Sequence, residues 1–378
     1  MGERKRIAFV SNSLWSIFHF RIHVIRRLIK QGYEVTVIAP PDQHLLQMVS
    51  DEKVRFIPLK HLHPRKMLPW QEWQLYNELK RIYQSLRPDL VFHYTIKPNI
   101  IGSLAAGAAK IKSVAVITGL GYTLLNNNKV GMLIRPLYKM ALQSPEEIWF
   151  LNGGDRDFFV AGKMVPDSKI FLLPGEGVDT DVFSPLEDVA AKSGHLRFLM
   201  ISRVLNNKGV NEFADAARMF AGKYPDTEFV LMGRYEPDSP DAIAKDKLEE
   251  WIRNKIIKYI PHGKTVREEI GKADCVVLPS YAEGLSVSLM EAAAMAKPVI
   301  ASNVSGCREL VVDNKTGFLC QPRNAGDLLG KMERFNSLSI SERQAMGAEG
   351  RKLIKEKFAA DIVTEIYMNK ISAHLQEA

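Results

Sequence analysis

The chain lacks three things at once, and each absence removes a class of protein. Cysteine is scarce: Cys275, Cys307 and Cys320 are an odd number in 378 residues and show no Cys-x-x-Cys spacing. That pattern indicates neither a disulfide framework nor a zinc site, so the three read as small buried apolar residues. No stretch approaches the ~18 uninterrupted apolar residues of a membrane span. The nearest, Ile100 to Leu125, is broken by Lys110, Lys112 and several glycines. Nor is there a Gly-x-Gly-x-x-Gly after the first strand: Gly119-Leu-Gly121 is not completed at Leu124, which counts against a dehydrogenase.

The N-terminus, Met1-Gly-Glu-Arg-Lys-Arg, runs straight into Ile7-Ala-Phe-Val-Ser with no apolar signal region. Met1-Gly2 is followed by Arg at position 6, where a myristoylation signal needs Ser or Thr. The expected location is cytoplasmic. Apolar residues make up 46% and charged residues 25%, the balance of a globular protein long enough for two domains. The net charge of +8 is uneven: residues 1–174 hold 24 Lys and Arg against 13 Asp and Glu, and residues 175–378 hold 27 against 30. A basic first half points to an anionic partner. A pI near 9.2 raises nucleic acid as a candidate, but no nucleic-acid motif or basic arm accompanies it. A bilayer surface or a lipid diphosphate fits at least as well, and predicts peripheral association with the inner face of the cytoplasmic membrane.

The first half alternates β-branched runs with amphipathic segments. Strands are expected at 6–11, 33–39, 54–58, 89–93, 113–117 and 147–151, and helices at 18–31 and 70–86. Strand–helix alternation of this kind predicts a parallel, doubly wound sheet. The Gly/Pro-rich stretch from Pro174 to Pro185 and polar Glu187 to His195 read as a linker over 175–195. A second alternating series occupies 196–355, and the tail from Ala325 to Leu375 reads as helical throughout, with 356–378 expected to pack back on the first domain of 1–174. Ligands of such sheets sit at the carboxyl ends of the strands, which puts the expected site in a cleft between facing domains.

Two segments carry chemistry. Pro279-Ser-Tyr-Ala-Glu283-Gly284-Leu-Ser-Val-Ser-Leu-Met-Glu291 lies at a strand end and opens a helix. Free amides of Gly284, Leu285 and Ser286, with the positive end of the helix dipole, would make an anion site. Glu291 lies about 9 Å further along the axis, roughly the reach from a phosphate to a ribose. Read alone, these are also a capping Glu and an exposed helical Glu. Ser202-Arg203-Val-Leu-Asn-Asn-Lys208-Gly209 also follows a strand and precedes a helix. Its Arg and Lys suit a diphosphate, or a solvated loop.

These motifs, in this order, resemble glycosyltransferase family 4 of the GT-B fold, and the resemblance covers nearly the whole chain. It includes Ser11-Asn-Ser, Phe20-Arg21, Lys97-Pro98, Gly119-Leu-Gly121, Gly177-Val-Asp179, Arg203…Lys208-Gly209, Glu283-x7-Glu291, Gly306-Cys-Arg-Glu309 and Gly317-Phe-Leu319. The first-domain features resemble the branch that builds capsule, O-antigen and lipid-linked oligosaccharides. The resemblance implies an α/β GT-B architecture, with two Rossmann-like domains and a helical tail. It also implies a retaining transferase that needs no metal and takes a UDP-sugar as donor and a polyprenyl-diphosphate glycan as acceptor. Arg203, Lys208 and Glu283 would be catalytic. Ser202, His262, Gly284, Leu285, Ser286 and Glu291 would hold the donor, and Arg21, His93, Lys97, Thr118 and Gly119 the acceptor. Many relatives place His where this chain has Thr118, and some have a glycine pair where it has Ser11-Asn-Ser.

Other features point elsewhere. Asp179-Thr-Asp181 spells the metal motif of the other large glycosyltransferase fold, but its place in the linker argues for a structural role. His19, His61, His63 and His93 are not spaced as a metal set. Trp70 and Trp73, with Arg65 and Lys66, fit a membrane headgroup layer or an ordinary helix burying its tryptophans; Val130 to Leu142 is a second segment of that type. The competing functions are a nucleotide-sugar 2-epimerase of the same fold, a non-catalytic nucleotide-binding scaffold and, more remotely, a nucleic-acid binder.

Overall fold

The computed structural model describes residues 4–63, 68–121, 124, 129–186, 195–261, 263 and 265–376. The chain divides into two compact units, Met1–Gly177 with Ala360–Ala378, and Val178–Ala359. Unit 1 holds 25 Lys and Arg against 17 Asp and Glu, and unit 2 holds 26 against 26, so the whole surplus of positive charge belongs to unit 1.

In unit 1 the strands are β1 (Arg6–Val10), β2 (Glu34–Ala39), β3 (Arg55–Pro58), β4 (Leu90–Tyr94), β5 (Ser113–Ile117), β6 (Glu147–Phe150) and β7 (Ile170–Leu172). They form one parallel sheet in the order β3-β2-β1-β4-β5-β6-β7. Between them run α1 (Leu14–Lys30), α2 (Leu46–Asp51), α3 (Pro69–Leu86), α4 (Ser103–Ala109), α5 (Lys129–Ala141) and α6 (Gly153–Ala161). Helices cover both faces, so the central strands read as continuous apolar runs and β4 and β5 are buried at every position. The strand order reverses between β1 and β4, which makes the loops after those two strands the switch point of the sheet.

Unit 2 repeats the plan. Strands β8 (Arg197–Ile201), β9 (Glu228–Gly233), β10 (Lys258–Pro261), β11 (Cys275–Leu278), β12 (Val299–Ser302) and β13 (Gly317–Cys320) are parallel in the order β10-β9-β8-β11-β12-β13. Its helices are α7 (Val210–Ala221), α8 (Lys245–Arg253), α9 (Val266–Lys272), α10 (Val287–Ala294), α11 (Ala325–Ser337) and α12 (Ile340–Lys357). Here the switch point lies between β8 and β11.

The C-terminal tail is not one helix. A capping box between Ser339 and Glu342 satisfies the free amides at a new start, so α12 begins afresh there. The last helix, α13 (Ala360–Gln376), belongs to unit 1. Tyr367 hydrogen-bonds Tyr94 at 3.0 Å in the core. At the rim, Lys370 and Trp149 donate to Glu147 at 2.7 Å each. Burial raises the Glu147 pKa, but His374, its Nε2 3.8 Å away, and the hydrogen bonds from Lys370 and Trp149 outweigh it and bring the carboxyl down to about 2.

A carboxyl held below its unfolded value of about 4.3 stabilises the fold above that value and loses the contribution as pH falls towards about 2. Glu147→Gln should therefore lower the apparent Tm by about 2–4 °C at pH 7, for a loss near 1 kcal/mol. Differential scanning calorimetry from pH 7 to pH 3 should show the two proteins converge in acid.

Candidate active site

The two chemistry-bearing loops meet at the switch point of unit 2. After β8 the chain turns through Ser202 to Gly209, and after β11 through Pro279 to Ser286. Asn207 stitches them together, its carbonyl accepting from the Tyr281 amide at 2.8 Å and from Ser280 Oγ at 3.2 Å. Gly209 has φ +76°, and a Cβ there would lie 2.1 Å from the Pro279 carbonyl oxygen. Only glycine combines that backbone angle with so close an approach.

This contact places Lys208 against Glu283. Their Nζ and Oε1 atoms are 2.6 Å apart, with side chains 15% and 13% exposed. Gly306, φ +84°, approaches from the loop after β12; a Cβ on it would lie 2.3 Å from the Glu283 carbonyl oxygen. The Gly306 amide donates to Glu309 Oε2 at 2.6 Å and its carbonyl accepts the Ser286 amide at 3.0 Å. Arg203 extends outward, 55% exposed, with Glu236 at 3.7 Å. Ser202 lies at the carboxyl end of β8, its Oγ on the Arg203 carbonyl at 3.0 Å.

The anion-binding end differs in detail from the sequence expectation. Ser286 is the N-cap, accepting the Leu289 amide with its side chain, and its own amide is spent on Gly306. Leu285 is a buried apolar contact. The Ser286 amide is therefore engaged within the fold, and the helix start adds the first-turn amides of Val287 and Ser288. Glu291 is not the exposed helical Glu of the simpler reading: it is buried, and burial pushes its pKa up to about 8. Gly284 stays beside Glu283, and His262 lies outside the described residues.

Sequence reasoning missed the support behind the loops. Tyr281 Oη donates to Glu212 on α7 at 2.6 Å, and Arg323 stacks over the Tyr281 ring at 4.5 Å. Nothing in the residue types announces either contact; only the fold brings them together. A cavity of about 710 Å³ lined by Arg197, Glu228, Phe229, Lys255, Ile257 and Tyr259 lies towards the amino ends of β8–β10, and none of the motif residues line it. Among the described residues no cluster of His, Cys, Asp or Glu has metal-binding geometry. Asp179 Oδ1 caps the amides of Asp181 and Val182 at 3.0 and 2.9 Å, the structural turn expected of it.

In unit 1 the predicted acceptor residues separate into two groups. Two are corrections. Arg21 is buried, paired with Glu176 and stacked over Tyr94 at 3.8 Å. Its guanidinium is taken up by contacts inside the unit, donating also to the Ser16 carbonyl at 2.9 Å. His93 is fully buried, with Nε2 2.8 Å from Tyr83 Oη and Nδ1 3.3 Å from Ser103 Oγ. Burial takes its pKa down to about 3, so it is a neutral core histidine. Lys97 lies just beyond β4, paired with Glu72 on α3, after Thr95 at φ +72°. Thr118 and Gly119 are half-buried just past the end of β5. Arg65 and Lys66 fall outside the described residues.

For Glu291 the sign runs opposite to Glu147. A carboxyl with a folded pKa near 8 destabilises the ligand-free fold increasingly as pH rises above its unfolded value of about 4.3, and the effect levels off above about 8. Glu291→Gln should leave the apparent Tm nearly unchanged at pH 4 and raise it at pH 8.5. A Tm difference that does not grow between those pH values contradicts the assignment.

Comparison with known proteins agrees with this fold. Residues 6–152 match the family model "Glycosyl transferase 4-like", and residues 186–353 match "Glycosyl transferases group 1". An N,N'-diacetylbacillosaminyl-diphospho-undecaprenol alpha-1,3-N-acetylgalactosaminyltransferase of Campylobacter jejuni is 29% identical over 346 residues, covering 86% of this chain and 88% of its own. The capsular polysaccharide biosynthesis glycosyltransferase CapM of Staphylococcus aureus is 22% identical, covering 94% and 93%. Among solved structures, Anabaena HepE in complex with UDP-glucose superposes with a TM-score of 0.80 at 15% identity, over 97% of this chain and 99% of that one. The chain is a glycosyltransferase of family 4, with the GT-B fold.

Proposed function

We propose that the protein transfers a sugar from a UDP-sugar to a polyprenyl-diphosphate-linked glycan in cell-surface polysaccharide synthesis, with retention of configuration and without a metal ion. The observation that carries the donor half is the Lys208–Glu283 pair at the switch point of unit 2. A diphosphate arriving there replaces the carboxylate as partner of Lys208, and Arg203 adds a second cation. Glu283 is then free for the hydroxyls of the transferred sugar, and Glu291 for those of the ribose. The similarity to a UDP-glucose-binding fold supports the donor class, and the relative acting on a diphospho-undecaprenol substrate supports the acceptor class.

In the proposed reaction the bond from the sugar anomeric carbon to the β-phosphate oxygen breaks as the acceptor oxygen bonds to the same face. The acceptor proton passes to the departing phosphate oxygen, so products are UDP and the new glycoside. Arg203 and Lys208 stabilise charge developing on the leaving diphosphate, the task a metal performs elsewhere. Unit 1 carries the basic surplus, suited to an anionic membrane surface and to the acceptor diphosphate. Among the described residues no helix is long and apolar enough to cross a membrane, and peripheral attachment is the proposed location.

Incubation with UDP-sugars and a polyprenyl-diphosphate glycan, followed by NMR of the product, should show an α-linkage from an α-linked donor, unchanged by EDTA. Lys208→Ala should lower kcat/KM by about 10²–10³-fold, the usual cost of losing a transition-state charge partner. An inverted product or loss of activity with EDTA would contradict the mechanism. Release, without acceptor, of a new free sugar differing from the donor's would favour an epimerase.

A further inference from the structure

Helix α3 buries Leu75, Leu79, Tyr83 and Leu86, positions that share one face at helical spacing. At about 100° per residue, Trp70 and Trp73 fall on the opposite face. They are 63% and 56% exposed, with stacked rings 5.0 Å apart, and Leu68 just before the helix is 51% exposed. The other large apolar side chains exposed on the described part of unit 1, Met140, Val160 and Leu172, are scattered along the chain. Exposed tryptophans side by side at a helix start are unusual in water, since each leaves much of a large apolar ring unburied.

The charge on this helix is sorted as well. Its outward face continues to Lys80 and exposed Arg81. Its two acids point elsewhere: Glu72 pairs with Lys97, and Glu78 accepts the amides of Lys60 and His61 at 2.9 and 3.0 Å. The outward stripe is therefore aromatic at one end and cationic at the other, with no carboxylate. Because α3 follows the parallel strand β3, it starts at the carboxyl edge of the sheet, and Glu72 in the same turn as the tryptophans reaches the loop after β4.

We propose that the outward stripe of α3 seats unit 1 on an anionic bilayer, with the Trp70 and Trp73 rings at headgroup level and Lys80 and Arg81 on lipid phosphates. Indole rings favour that layer because one edge is apolar and the N–H needs a polar partner. The seat brings the Lys97 edge of the sheet to the depth at which a lipid-borne diphosphate leaves the membrane. The inference rests on the reading of the acceptor as lipid-linked. A protein partner is less well matched, because the stripe pairs apolar rings with cations alone, the combination that anionic lipid presents in reverse.

The test compares the full chain with Trp70→Ala/Trp73→Ala and with Lys80→Ala/Arg81→Ala. Each is sedimented with vesicles of phosphatidylglycerol or phosphatidylcholine, and assayed on a polyprenyl-diphosphate glycan in vesicles and on a short-chain, water-soluble analogue. The unmutated protein should sediment with phosphatidylglycerol. The tryptophan variant should bind at least about tenfold more weakly, keep its Tm, and lose turnover on the vesicle acceptor but not on the soluble one. The lysine–arginine variant should lose binding chiefly at low salt. Equal sedimentation by the tryptophan variant overturns the proposal, as does an equal loss of turnover on both acceptors. Self-association that disappears in the tryptophan variant while vesicle binding persists overturns it in favour of a second copy of the chain. If the unmutated protein turns over neither acceptor, the acceptor reading fails, and sedimentation alone then decides the seat.

Discussion

The Lys208–Glu283 ion pair is the contact around which unit 2 is arranged. Its two partners come from loops 75 positions apart in sequence, and their 2.6 Å separation exists because Gly209 and Gly306 let three backbone segments approach within van der Waals contact. Both side chains are largely shielded from water, so neither can be left without a counter-charge at small cost. In the proposed reaction the pair is a placeholder: Glu283 occupies the cation that the donor diphosphate will take. Unit 2 as a whole is neutral in charge, so attraction for the donor is local to the β8 and β11 loops and does not come from a general field.

Unit 1 is organised differently. Its interior carries a polar network, Arg21 with Glu176 and Tyr94 with Tyr367, that ties α1, β4 and α13 together. The last helix is thereby part of the unit that begins the chain. The excess of positive charge lies on this unit, and Lys97, paired with Glu72, follows β4 at the switch point. In the proposed division of labour, donor recognition is a matter of specific side-chain geometry, and acceptor recognition adds the long-range field of a basic surface.

Much of this was legible in the sequence, for identifiable reasons. Runs such as Leu90–Tyr94 and Ser113–Ile117 are mostly apolar and buried at every position because a doubly wound sheet buries both faces of its central strands, and the boundaries read from them needed little adjustment. The strands β7, β10 and β13 left weaker signals: each is only three or four residues long, and Lys258–Pro261 mixes Lys and Pro with its apolar residues. The donor motif was legible because a strand, a short polar loop and a helix start are consecutive in sequence. What could not be read was burial. Arg21 and His93 have the residue types of ligand contacts, and only tertiary packing against Glu176, Tyr83 and Ser103 turns them into structural groups. The burial of Glu291 was not legible either, because a short helix of small residues gives little periodicity from which to tell its buried side. The exposure of Trp70 and Trp73 likewise emerges only once α3 is seen to pack through its opposite face.

The most direct test of the central claim is the affinity of UDP and of a UDP-sugar, by calorimetry, for the unmutated protein and for Glu283→Gln. If the carboxylate is a placeholder that moves from Lys208 to the sugar, the variant should bind UDP at least as tightly as the unmutated protein. It should also lose the additional affinity that the sugar confers, together with turnover. If the variant weakens UDP and UDP-sugar by the same factor, or leaves the gain from the sugar intact, Glu283 does not recognise the sugar and the account of the site is wrong.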